Sequence, residues 1–93
     1  MNELAFDWDQ WNIQKNEEKH GISSLEAEST FFDKDFTIFE DLKHSEKEQR
    51  WIGYGISQNH NILMIAFTIR HNKVRIISAR KAARKERDIY EGN

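Results

Sequence analysis

The sequence predicts an α+β fold: two N-terminal helices, a four-stranded antiparallel sheet and a C-terminal helix, in one domain spanning residues 1–93. Three observations carry this. Helix-capping residues and a glycine punctuate the first third of the chain. Period-two apolar alternation separated by short turns fills residues 36–79, and a strongly basic segment runs from Arg80 to Tyr90. Ninety-three residues leave room for one core and none for a second domain. With 38% hydrophobic and 32% charged residues, the composition is that of a small globule and not of a disordered tail.

Asp9 is suited to cap a first helix over Gln10 to Lys19, closed by His20-Gly21, where glycine accepts the left-handed conformation. Phe6 and Trp8 lie upstream, placed to pack across the helix start or to form a short edge strand. Ser23 with Glu26 fits a reciprocal capping box for a second helix, with Leu25, Ala27, Phe31 and Phe32 as a partial apolar face and Asp33 as its exit. From Phe36 to Asp41 the period changes to two. Leu42 to Glu48 is charged and reads as an exposed loop. Arg50 to Ser57 is the second strand, in which Gly53 and Gly55 signal a close backbone approach or a bulge. Gln58-Asn59-His60-Asn61 is a polar turn. Ile62 to Arg70, apolar on both faces, is the central strand, and His71-Asn72 makes a tight hairpin into a fourth strand, Lys73 to Ala79. Ser78 is placed to cap the last helix, Arg80 to Tyr90, in an antiparallel sheet with helices on one face.

Several function classes fall away. The chain has no Cys, so disulfides, thiolate metal sites and a Cys nucleophile are excluded. Met1 to Gln10 carries Glu3, Asp7 and Asp9 without a basic residue, unlike a signal peptide, and the apolar run Ile62 to Phe67 is too short to span a bilayer. No phosphate-binding glycine loop, nucleophile elbow or dinucleotide fingerprint occurs. None of the four histidines has metal-ligand spacing, so neither a metal nor another cofactor is expected.

The net charge of −2 hides an asymmetry: residues 1–69 hold 6 basic and 13 acidic side chains, residues 70–93 hold 8 and 3. Either the two halves face one another in the fold, or the basic half meets nucleic acid or an acidic partner. On a helix, Arg80, Arg84 and Arg87 would share one face, broadened by Lys81 and Lys85. Such a row suits phosphates, and equally suits pairing with carboxylates of the N-terminal half. Arg75 projects from a strand, and Arg50 and Arg70 stand at strand ends. His20, between Lys19 and Gly21, is a candidate acid or base, or else a cation at a helix C-terminus. His44, His60 and His71 fall in loops or turns and read as solvated.

A set of short pieces stands in order along the chain: Phe6-Asp7-Trp8-Asp9, Asn16, Lys19-His20-Gly21-Ile22-Ser23, Glu26-Ala27 and Phe32-Asp33. They continue through His44-Ser45-Glu46, Arg50-Trp51-Ile52, Val74-Arg75-Ile76-Ile77-Ser78-Ala79-Arg80, Glu86-Arg87 and Tyr90-Glu91. In these pieces the chain resembles the BrnT family of ribonuclease toxins. Ser24-Leu25 and Ala83 depart from the family pattern, and Lys81 and Lys85 stand where arginine also occurs. The resemblance implies a RelE-like fold, metal-independent RNA cleavage, inhibition of translation and a cytoplasmic location. It also implies a DNA-binding BrnA-like antitoxin that occupies the toxin and represses their shared operon, with no membrane and no small-molecule cofactor. On that reading Arg75, Arg80 and Arg84 stabilise the charge on a scissile phosphate, and His20, Glu48 or Glu86 moves the 2′-hydroxyl proton. Tyr90 or Lys19 assists the leaving oxygen, while Lys19, Arg50, Arg70, Lys81, Lys85 and Arg87 bind RNA. The competing reading is a non-catalytic basic module that docks an acidic partner or a nucleic-acid backbone.

Overall fold

In the computed structural model, which describes residues 4–92, a five-stranded sheet carries three helices. Glu3, counted above in the N-terminal charge, lies outside the described residues. The strands are β1 (Phe6–Asp7), β2 (Thr37–Glu40), β3 (Trp51–Ile56), β4 (Ile62–Arg70) and β5 (Lys73–Lys81). They stand in the order β1-β5-β4-β3-β2. The helices are α1 (Gln10–His20), α2 (Ser24–Ser29) and α3 (Arg84–Tyr90), with single 3-10 turns at Thr30–Phe32 and Leu42–His44.

Local chemistry sets most boundaries as expected. Asp9 accepts the Trp11 amide at 2.8 Å, and Gly21 closes α1 at φ +68°. Ser23 Oγ accepts the Glu26 amide at 3.1 Å. The hairpin residues His71 and Asn72 adopt φ of 51° and 64°, the paired positive values that a two-residue hairpin turn requires.

Four expectations need correction. The sheet is mixed and has five strands, because β1 pairs in parallel with β5, Phe6 opposite Val74 and Asp7 opposite Arg75. A two-residue strand is too short to show a period in sequence. The last helix begins at Arg84 and not at Arg80, so Ser78 lies within β5 and Ala83 holds the cap position. β5 runs on to Lys81 because the opening residues of β4 need ladder partners: Met64 pairs with Arg80 and Leu63 with Lys81. The Ser23–Glu26 box is only half formed. The buried Glu26 carboxylate turns away to accept from Ser57 Oγ at 2.7 Å and Asn61 Nδ2 at 2.9 Å, and so anchors the turn between β3 and β4. Finally, Leu25 and Phe32 of the presumed apolar face of α2 are exposed, while Ala27 and Phe31 meet the core.

The core lies on one face of the sheet: Ile22, Ala27, Leu63, Ile65, Phe67, Val74, Ile76 and Ala79, bordered by Phe6, Trp8, Phe31, Phe36 and Trp51. Gly53 is needed there, since a Cβ at that position would stand 2.1 Å from Phe36 Cζ, in a ring wedged against Phe31 and Phe67. Helix α1 lies along the outer edge of β5. There the buried Asn16 accepts the Ala79 amide at 2.8 Å and donates to the Ile22 carbonyl at 3.3 Å, so one side chain satisfies both a strand edge and a loop. Among the described residues no helix is long and apolar enough to cross a membrane.

Candidate functional site

Strand alternation assigns the residues of the second, open face of the sheet. Opposite the core side of β3 stand Ile52 and Tyr54, and the pairing of Asp41 with Arg50 (amide to carbonyl, 2.8 Å) extends that face to both of those residues. From β4 it receives Met64, Ala66, Thr68 and Arg70. Arg75 and Arg80 are an odd number of residues apart, so a regular strand would send them to opposite faces. An irregularity in β5 prevents this. Ala66 pairs with Ser78 while Phe67 pairs with Ile76, so Ile77 is the extra residue and both arginines reach the open face.

At the hairpin end of this face is a cleft of about 590 Å³ lined by Lys43, His44, Glu46, Lys47, Glu48, Arg50 and Arg70. The loop that forms it is held from below. Ser45 Oγ donates to the Asp41 carbonyl at 2.6 Å and accepts the Arg50 amide at 3.0 Å. Thr68 Oγ1 donates to the Gln49 carbonyl at 2.7 Å. Within the cleft, His44 Nδ1 contacts Asp41 Oδ2 at 2.8 Å. Against a carboxylate Nδ1 is the donor, which fixes the ring and leaves Nε2 as the acceptor on an imidazole that is 56% exposed. Glu48 accepts from Arg70 Nε and Nη2 at 2.6 and 3.0 Å, and these bonds hold its carboxyl below the usual carboxylate range. Arg50 makes no ion pair among the described residues.

At the other end of the face Arg80 is engaged. Arg80 donates from Nη1 and Nη2 to the two oxygens of Glu86 at 2.8 and 2.9 Å, and Nη1 also reaches the Lys81 carbonyl at 3.1 Å. Glu86 further accepts the Ala83 amide at 2.7 Å and so starts α3. Its carboxyl is held low by the Arg80 bonds against an opposing contribution from burial, with the Ala83 amide helping. Tyr90 donates to Asp33 Oδ2 at 2.5 Å, and the same oxygen accepts the Ile56 amide at 2.8 Å. Burial, and then the Asp33 carboxylate, push the Tyr90 hydroxyl well above its ordinary range. Lys81, Arg84, Lys85 and Arg87 are exposed around this end.

The remaining predicted residues lie elsewhere. Arg75, in the middle of the face, meets Asp7 at 2.9 Å and Asp9 at 3.5 Å, which ties β5 to β1 and to the start of α1. Lys19 and His20 line a smaller cleft of about 220 Å³ between α1 and the bulge, with Asn12, Lys15, Asn16, Ile77 and Ser78. The structure therefore does not gather Arg75, Arg80, Arg84, His20, Glu86 and Tyr90 into one constellation. Arg80, Glu86 and Tyr90 fasten α3 to the sheet. Arg84 and Arg87 sit three apart on α3, without Arg80 on their helix. His44 is exposed, as its loop position predicts, but its ring is also held by Asp41 three residues earlier, a spacing the sequence offers. Among the described residues no group of three or more His, Asp or Glu side chains converges as a metal site does.

Comparison with known proteins agrees with this fold. Residues 8–86 match the family described as "Ribonuclease toxin, BrnT, of type II toxin-antitoxin system". The crystal structure of the Brucella abortus ribonuclease toxin BrnT is similar, with a TM-score of 0.65 and 22% sequence identity, over 88% of this chain and 100% of that one. No curated protein sequence matches.

Proposed function

The chain belongs to the BrnT family of ribonuclease toxins of type II toxin–antitoxin systems, and from that premise we propose that it is a metal-independent endoribonuclease whose chemistry takes place in the cleft formed by residues 43–50 and Arg70. The observation that carries the proposal is the His44–Asp41 contact in the cleft that Arg50 also lines, an arginine without an ion pair among the described residues. Cleavage of RNA by its own 2′-hydroxyl needs a base for that proton, donors for the charge that develops on phosphorus-bound oxygens, and a proton for the leaving 5′-oxygen. Nε2 of His44, oriented through Nδ1 by Asp41, takes the proton. Arg50 faces the phosphoryl oxygens. Lys43 and Lys47 hold the neighbouring phosphates, and either supplies a donor near the leaving oxygen. Arg70, positioned by Glu48, lines the floor of the cleft. Glu48 itself, bound twice by Arg70, is better suited to positioning than to abstracting a proton.

The exposed Lys81, Arg84, Lys85 and Arg87 extend the basic surface along which a strand lies, with Lys19 and His20 at its flank. The cell consequence is arrest of translation by RNA cleavage in the cytoplasm, relieved by a BrnA-like antitoxin that covers the same surface and, bound to DNA, represses their operon.

The test is induced expression of the wild type beside His44→Ala and Arg50→Ala, scoring growth and total RNA integrity, with each variant purified and melted to show that it folds. Growth arrest and RNA cleavage by the wild type alone are expected. RNA binding without cleavage by the wild type would leave only the docking-module reading. Cleavage by a folded His44→Ala protein at the wild-type rate would move the chemistry out of this cleft.

A further inference from the structure

Phe39 has no part in the core. It sits in β2, the outer strand of the sheet, is 42% exposed, and faces Ile52 across the ladder. Alternation places it on the open face with Arg50 and Asp41. Its ring packs on one side against the buried Tyr54, centroids 5.6 Å apart and planes inclined at 59°, which fixes the ring and leaves its outer surface uncovered. Two residues further along the same face is Asp41, which carries His44, and opposite Asp41 is Arg50. At about 3.3 Å per strand residue, Phe39 stands roughly 7 Å along the strand from that pair, within the reach of one nucleotide. Of the two carboxylates on this stretch, Glu40 alternates to the other face and accepts from Gln49 Nε2 at 2.8 Å, and Asp41 accepts from His44.

We infer that Phe39 is a stacking platform for the unpaired base beside the scissile phosphate, which makes single-stranded RNA the substrate class. This deepens, and rests on, the cleft assignment proposed above. A base within a duplex has both faces covered by its neighbours, whereas an unpaired base offers a π-face to an aromatic ring. Cations line the cleft beside the platform, which suits the phosphates that accompany such a base and disfavours a purely apolar peptide. Because stacking is indifferent to base identity, the platform selects strandedness and not sequence.

The experiment uses the full chain and two probes: a cleavable single-stranded oligoribonucleotide, and the same sequence with 2′-O-methyl groups and a 2-aminopurine at successive positions. Phe39→Leu keeps an apolar side chain but removes the ring; Phe39→Trp restores a ring. Since Phe39 is exposed, both variants should melt close to the wild type. The expected result is quenching of 2-aminopurine fluorescence at one position by the wild type, lost in Phe39→Leu and regained in Phe39→Trp. KM for the single strand should rise about tenfold in Phe39→Leu, with a smaller effect on kcat. Equal quenching and equal KM in Phe39→Leu and the wild type would overturn the platform while leaving the cleft assignment intact. Unchanged RNA affinity together with weaker inhibition by the purified antitoxin would overturn it in favour of a protein-docking role. A folded wild type that cleaves no RNA would remove the cleft assignment, and this inference with it.

Discussion

Each end of the open sheet face holds one arginine against a glutamate through two bonds, Arg80 with Glu86 and Arg70 with Glu48, and the ends differ in what stands beside that pair. At the α3 end, Arg80 is held on both sides by Glu86, and Tyr90 donates to Asp33. At the hairpin end, beside Arg70, Arg50 makes no ion pair among the described residues and His44 is held through one of its nitrogens. The first arrangement spends its charges on joining a short helix to the sheet. The second keeps charges and one imidazole nitrogen available to a ligand. An arginine is a candidate for phosphate chemistry only when its partners are known, and that knowledge comes from the fold.

The sharpest way to break this comparison is to remove His44. His44→Ala should lower the cleavage rate by about 10²–10⁴-fold, the usual contribution of a positioned proton-transfer group, with an unchanged melting temperature. Next in size is Arg80→Met. It should cost about 1–2 kcal/mol, since the pair is strong in geometry but a third exposed, and lower the melting temperature by about 5–10 °C. Its effect on cleavage should stay within about tenfold and track the loss of α3 order, read by hydrogen exchange.

The alkaline limb of the pH dependence of stability should also separate the two ends, since lowered carboxyls occur at both, Glu86 at one and Glu48 at the other. Glu86, Asp33 and Glu26 all titrate below their ordinary ranges. For Glu86 the Arg80 bonds dominate. For Asp33 and Glu26 burial alone would raise the carboxyls, but hydrogen bonds from Ile56 and Tyr90, and from Asn61 and Ser57, outweigh it. Their contribution is present above the unfolded carboxylate range near pH ~4 and is lost as the pH falls through the lower native values. Tyr90 is shifted upward, so its contribution is present below about pH 10 and is lost above it. Denaturant melts should therefore show weakening below pH ~4 and above pH ~10, and Tyr90→Phe should shrink the alkaline limb to the smaller part that the buried Tyr54, also shifted upward by burial, contributes. The smallest expected effect belongs to a single lysine. Lys47→Ala should weaken binding of single-stranded RNA and reduce the slope of log K against log salt by about 0.7, seen in fluorescence titrations at several salt concentrations.

Much of the fold was legible in the chain. Asp9, Gly21, Ser23 and His71-Asn72 mark boundaries through local chemistry, and β4 was recognisable as a buried run. What was hidden depends on pairing. The edge strand was one of two readings of Phe6 and Trp8, and only the parallel pairing of Phe6–Asp7 with β5 decides between them. Arg80 to Lys81 stay extended only because β4 needs partners there, against a local composition that favours helix. The site suffers from the same blindness. The bulge at Ile77 decides that Arg75 and Arg80 share a face, and a change of register by one residue carries no compositional mark. The resemblance runs through His44-Ser45-Glu46 and Arg50-Trp51-Ile52, but the Asp41–His44 contact within that stretch is visible only in the fold.

The most direct test is single-turnover cleavage of a single-stranded oligoribonucleotide by His44→Ala and Arg80→Met side by side, each verified as folded. A loss of at least about a hundredfold in the first, with the second within about tenfold of wild type, is the predicted result. Full activity in His44→Ala together with an inactive but folded Arg80→Met would contradict the account and return the chemistry to the α3 end.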